Sequence, residues 1–165
     1  MYSDLYKSTA SSKAADVQEL FIDIKRILLA TDGSTSAKGA TKYAIQWAKR
    51  FGATVKAVFV DSDNDVTYLH RKSLQEYIDS SDSGIDGYDG LIFASKYAQE
   101  NSVNVESVVI LGNAARQIAE YAKVYSPDLI VLGNSERSGI RRSLGSVVDE
   151  VMKATEVPVL VVSDN

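Results

Sequence analysis

The sequence predicts a doubly wound α/β fold built on a five-stranded parallel sheet, and three observations predict it. Short apolar runs recur along the chain, segments with apolar residues at helical spacing separate them, and glycine, serine or aspartate marks the junctions. Strands that alternate with helices need right-handed crossovers, which make the strands parallel. At 165 residues the chain is long enough for one domain with a real core. Its 45% hydrophobic and 24% charged residues are those of an ordinary globular protein.

Residues 1–23, polar and rich in Ser, Ala and Lys, are expected to form an arm that is frayed or a short helix, with the folded domain spanning 24–165. Ile27-Leu28-Leu29-Ala30 is apolar throughout, as a strand buried on both faces must be. It stops at Thr31-Asp32-Gly33. Ser34, Thr35 and Ser36 can cap a helix whose apolar positions are Ala40, Ala44, Trp47, Ala48 and Phe51, and Gly52 ends it. Residues 55–60 give a second strand. A hydrophilic stretch follows, in which Leu69, Leu74, Tyr77 and Ile78 suggest an interrupted helix. Residues 81–90 hold many turn formers and read as a break before a helix over about 91–101. A calcium loop is the sharper reading of that break, but its Asp spacing fails the EF-hand pattern and no bidentate Glu closes it.

Val105 to Leu111 forms the third strand and leads through Gly112-Asn113 into a helix bearing Ala115, Ile118, Ala119 and Ala122. Pro127 opens the fourth strand. After a glycine-punctuated loop, Val147, Val148, Val151 and Met152 mark the last helix, and residues 158–162 the last strand.

Charge and composition narrow the chemistry. A net charge of -4 gives no cationic footprint for nucleic acid or an anionic membrane, so neither is expected as a partner. With no cysteine there are no disulfides, thiolate metal sites or cysteine nucleophiles. The start carries no apolar run of signal-peptide length and nowhere is there a membrane-spanning stretch, so the expected location is the cytoplasm. His70, the only histidine, has no ligand or triad partner at a recognisable spacing and is given no role.

In open α/β sheets, ligands sit beyond the carboxyl ends of the strands, near the point where strand order reverses. Three stretches fall there: Thr31-Asp32-Gly33, the end of strand two at Val60-Asp61, and the loop from Gly133 to Ser146. Backbone amides freed of side chains at a strand-to-helix junction hold phosphate, so the loop points to a nucleotide. Each feature also has a plain structural reading. Asp32 before Gly-Ser can simply cap the next helix, Gly133 and Gly145 can serve tight helix-sheet packing, and Arg137, Arg141 and Arg142 can be a solvated face.

Ile27-Leu28-Leu29-Ala30-Thr31-Asp32-Gly33-Ser34, Leu111-Gly112-Asn113-Ala114-Ala115, Asp128-Leu129-Ile130-Val131-Leu132-Gly133, Leu144-Gly145-Ser146-Val147 and Val157-Pro158-Val159-Leu160-Val161-Val162 together resemble the universal stress protein family. Their order and spacing match over about residues 24–163. The resemblance implies a Rossmann-like sheet of order 3-2-1-4-5, of the adenine nucleotide alpha hydrolase kind, and a homodimer paired through Val159, Leu160, Val161 and Val162. It also implies that one branch of the family binds ATP through a Gly-x-x-Gly-x9-Gly-Ser/Thr loop and another does not.

Carried over position by position, Asp32 would meet the adenosine end of ATP, with Ala30 and Thr31 beside it, and the backbone of Val60 would contact adenine. Leu132 and Gly133 would form the floor, and Gly145, Ser146 and Val147 would surround the phosphates, with or without Mg2+. The loop departs from the family pattern twice. Glu136 stands where the second glycine belongs, and Gly145 follows Gly133 by twelve places, one fewer than the motif spans. A carboxylate near a triphosphate is repulsive unless it turns outward. Gly139 is available to take over a turn, and the three loop arginines can offset the charge.

The function expected is therefore that of an ATP-binding regulatory module in a stress response, with a degenerate phosphate loop. The alternative is a dimeric stress-response interaction protein with a vestigial pocket. A slow ATPase or phosphotransferase is the weaker third reading. No Walker A loop, Gly-x-Ser-x-Gly elbow or zinc-spaced His/Glu pair is present, so no catalytic residue is assigned.

Overall fold

The computed structural model describes residues 23–62, 86–134 and 144–163. Several sequence expectations lie outside them: the arm over 1–22, the interrupted helix with His70, the head of the turn-rich break, and the loop residues Glu136, Arg137, Gly139, Arg141 and Arg142.

The elements run β1 (Arg26–Ala30), α1 (Thr35–Phe51), β2 (Thr54–Asp61), α2 (Asp86–Glu100), β3 (Val105–Leu111), α3 (Ala114–Tyr125), β4 (Leu129–Asn134), α4 (Ser146–Ala154) and β5 (Val159–Ser163). The sheet has the order β3-β2-β1-β4-β5, and every pair is parallel. This is the doubly wound fold expected. The chain winds outward from β1 to β2 and β3, then returns across the sheet to β4, so order reverses between β1 and β4.

Burial follows from that order. Ile27, Leu28 and Leu29 of β1 are fully buried because helices cover both sides of the sheet. Ile27 and Leu29 pack with Ala40, Ala44 and Ile45 of α1 and Leu91 and Ala94 of α2. Leu28 faces the other way, among Ala115 and Ile118 of α3 and Val148 and Val151 of α4. The alternation of side chains along a strand thus feeds two separate cores.

Local chemistry sets the helix ends. The Ser34 hydroxyl accepts from the Ala37 N–H at 3.2 Å to start α1, and Gly52 ends it in a left-handed conformation at φ 67°. Asn113 caps α3 in the same way, its Oδ1 accepting from Arg116 N–H at 3.0 Å. Asp128 stands ahead of β4 rather than in it. Its Oδ2 accepts from the backbone N–H groups of Lys25 and Arg26, at 2.9 and 2.8 Å, and ties the entrance of β4 to that of β1.

Three expectations are corrected. Helix α2 begins at Asp86, inside the segment read as a break. Tertiary burial outweighs the local preference of its glycines and aspartates, since Leu91, Ala94 and Ala98 all enter the core. Trp47, placed on the apolar face of α1 by spacing, is 37% exposed and packs edge-on against Phe51, the ring centroids 6.0 Å apart. The fourth strand begins at Leu129 and the fifth at Val159, each later than its proline; proline has no N–H to give a ladder, so Val159 is the first residue of β5 that can donate one.

At the far edge of the sheet, Lys56 of β2 pairs with Glu106 of β3, and its ammonium lies 5.3 Å from the centre of the Tyr125 ring. The hydrogen bond to Glu106 holds the Lys56 ammonium above its ordinary pKa, against the opposing effect of burial.

Helix α1 crosses β4 at Gly133. A Cβ there would stand 2.5 Å from the Ala37 nitrogen and 2.6 Å from the Ser36 carbonyl carbon, both backbone atoms that cannot swing aside. Gly133→Ala is therefore expected to lower stability by about 1–3 kcal/mol, the usual cost of overpacking. Urea unfolding measures this, and a loss below about 0.5 kcal/mol, the range of an ordinary surface change, would contradict the packing described.

Candidate functional site

The reversal between β1 and β4 sets the switch point of the sheet at the carboxyl ends of these two strands, the position where ligands enter this kind of sheet. The pairing of Ala30 with Leu132 places the ends of those two strands side by side. On the other flank Ala30 pairs with Val58, so Val60 lies two residues further toward the carboxyl end. The sequence-predicted residues Ala30, Val60, Leu132 and Gly133 are thus brought together by strand register alone.

Beyond β1 the chain turns sharply. The Thr31 N–H donates to Val58 O at 2.9 Å, extending the ladder by one bond, and its Oγ1 accepts from Gly33 N–H at 3.3 Å. Gly33 has φ 78°, a conformation that favours glycine. Asp32 is exposed at the tip, and its Oδ1 accepts from Ser34 N–H at 3.0 Å. The carboxylate orders the turn, while the helix cap itself is Ser34. A carboxylate accepts more than one hydrogen bond, and a hydroxyl is a kind of donor it accepts from.

Helix α4 supplies the other wall. Gly145 is its N-cap and offers no side chain to the first-turn amides. Ser146 and Val147 are exposed, so the amides and one hydroxyl lie at a positive helix end. Gly145 itself is already engaged: its N–H donates to Asn134 Oδ1 at 2.8 Å. Glu136 and Gly139, expected in this wall, lie outside the described residues.

Two residues of this region were not singled out from the sequence. Asn134 ends β4 and is buried, and the only signal was a polar residue directly after Gly133 in an apolar strand. Gly90 is buried in α2, where a Cβ would stand 2.4 Å from Thr31 Oγ1 and 2.8 Å from Gly33 N. It lets α2 support the Asp32 turn from behind. Read locally, Gly90 was one more turn former in a break.

Gly133 carries the packing role that its sequence left open, because the α1 backbone fills the space above it.

A family model described as "Universal stress protein family" matches residues 23–163. The chain belongs to the universal stress protein family. Universal stress protein MJ0531 of Methanocaldococcus jannaschii is 36% identical over 139 residues, which is 84% of this chain and 81% of that protein. Among solved structures, a universal stress protein in complex with cAMP superposes with a TM-score of 0.64 at 24% identity, covering 86% of this chain and 98% of that one. A family member from Arabidopsis thaliana with AMP bound does so with a TM-score of 0.58 at 20% identity, covering 86% and 92%. These structural likenesses establish the shared fold.

Two helical glycines of this universal stress protein separate a helix-propensity effect from a site effect. At Gly39 a Cβ would meet only Val162 at 3.5 Å, an ordinary contact, so Gly39→Ala is expected to raise stability by up to about 1 kcal/mol. Gly90→Ala, also in a helix, is expected to lower it by about 1–3 kcal/mol and to shift the backbone amide resonances of Thr31, Asp32 and Gly33. Equal effects of the two in thermal unfolding and NMR would show that Gly90 does not brace the turn.

Proposed function

We propose that this universal stress protein binds an adenine nucleotide across the carboxyl ends of β1, β2 and β4 and acts as a nucleotide-dependent regulatory module. The observation that carries the reading is a convergence at the switch point. The Asp32 turn and the uncapped N-terminus of α4 flank the paired ends of β1 and β4, a carboxylate on one side and free amides on the other. A nucleotide needs that polarity, with a hydroxyl acceptor for its ribose and amide donors for its phosphate. The complexes of related folds with cAMP and AMP support the adenine base and a phosphate.

In this reading Ala30, Thr31 and Asp32 take the adenosine end, the Val60 backbone takes the base, and Leu132 and Gly133 form the floor. Ser146 and Val147 meet the phosphates. ATP, with or without Mg2+, is the nucleotide the motif favours. Glu136 and the shortened loop favour a second reading, a dimeric interaction protein whose pocket is vestigial. Both readings accommodate pairing through β5. That strand is an edge of the sheet, and Val159, Leu160, Val161 and Val162 are only half-buried.

Calorimetry with ATP, AMP and Mg2+ tests the proposal. Binding between micromolar and sub-millimolar strength is expected, with Asp32→Ala and Gly145→Val each weakening it by about tenfold or more, the worth of a charged hydrogen bond or a blocked approach. No heat at millimolar nucleotide would favour the second reading. For the dimer, Val161→Asp is expected to give a folded monomer by sedimentation and circular dichroism, whereas an unchanged dimer would place the interface elsewhere.

A further inference from the structure

We propose that Asn134 is a positioning residue, which holds the N-terminus of α4 in place for a nucleotide phosphate and does so with a neutral acceptor. The role rests on the nucleotide reading above. Asn134 is the last residue of β4, 4% exposed, and its Oδ1 accepts from Gly145 N–H at 2.8 Å across eleven residues of sequence. A backbone N–H requires an acceptor, so chemistry alone sets which way the amide faces. A buried acceptor of this kind is costly to leave unpaired, which makes the bond a firm link between strand and helix.

The bond has two effects on the candidate site. It ties the start of α4 directly to the end of β4, at the point where Gly145 as N-cap brings no side chain of its own. Val148 in the first turn and Val151 one turn on anchor the inner face of α4 in the core, and the Asn134 bond adds a hold on the N-cap itself, ahead of both. The bond also consumes the Gly145 N–H. An anion is then met by the amides of Ser146 and Val147 and by the Ser146 hydroxyl, held at a fixed height above β4. An aspartate at position 134 would make the same bond but set a negative charge beside the phosphate. An asparagine fastens the helix without that repulsion.

The test uses the full chain, AMP as the probe, and two variants. In Asn134→Ala, amide hydrogen exchange at Gly145 is expected to quicken and AMP to bind about tenfold more weakly, the worth of one lost hydrogen bond of preorganisation. In Asn134→Asp, Gly145 is expected to stay protected while AMP still weakens at least about tenfold through charge. A merely structural role predicts wild-type affinity in the aspartate variant, and that result would overturn the proposal, including where the alanine variant fails to fold. Unchanged Gly145 exchange or unchanged AMP affinity in a folded Asn134→Ala protein would overturn it equally. Wild-type protein that binds no AMP overturns the nucleotide reading and this role with it, whereas wild-type binding that both variants retain overturns the role alone.

Discussion

The seating of α1 on the bare backbone of Gly133 is the constraint on which most of the structure depends. Because no Cβ stands there, the first turn of α1 approaches β4 to within contact of Ser36 and Ala37. That approach lets one helix cover β1 and β4 together, at the place where strand order reverses. Ala40, Ala44, Ile45 and Ala48 then fall into the core, and small residues along α1 keep the helix close to the sheet. A helix held further out would leave Ile27, Leu29 and Val131 partly wet, and each such side chain contributes about 1.5–3 kcal/mol by full burial.

The link from β1 to this closely seated helix is short, and Thr31, Asp32 and Gly33 make it with a left-handed glycine. Gly90 of α2 supports that turn from behind, so two close backbone approaches hold one loop. On the opposite wall a side chain does the holding, with Asn134 reaching the Gly145 amide. The two walls therefore differ in kind: the turn beyond β1 rests on close backbone approaches, while the start of α4 adds a side-chain hydrogen bond to the core packing of Val148 and Val151.

Much of this was legible from residue order. The apolar runs and helical spacing located every described element, and the strand endings put Ala30, Asp32, Val60 and Gly133 at the carboxyl side of the sheet. Less legible were features whose local and tertiary preferences disagree. The first turn of α2 contains residues that favour turns in isolation, yet Leu91, Ala94 and Ala98 draw it into helix by burial. Trp47 fits an apolar stripe by number but lies at its margin, partly exposed beside Phe51.

By itself, then, the sequence determined the alternation of strand and helix, the parallel sheet, and the family, because periodicity and short motifs are properties of neighbouring residues. The tertiary structure alone decided what each polar or missing side chain faces. Gly133 meets α1, Gly90 meets the Asp32 turn, and Asn134 meets Gly145, each across a separation in sequence that no local pattern reports. The physical reason is that a hydrogen bond or a close contact depends on where two distant segments are brought, and only the packed sheet brings them there.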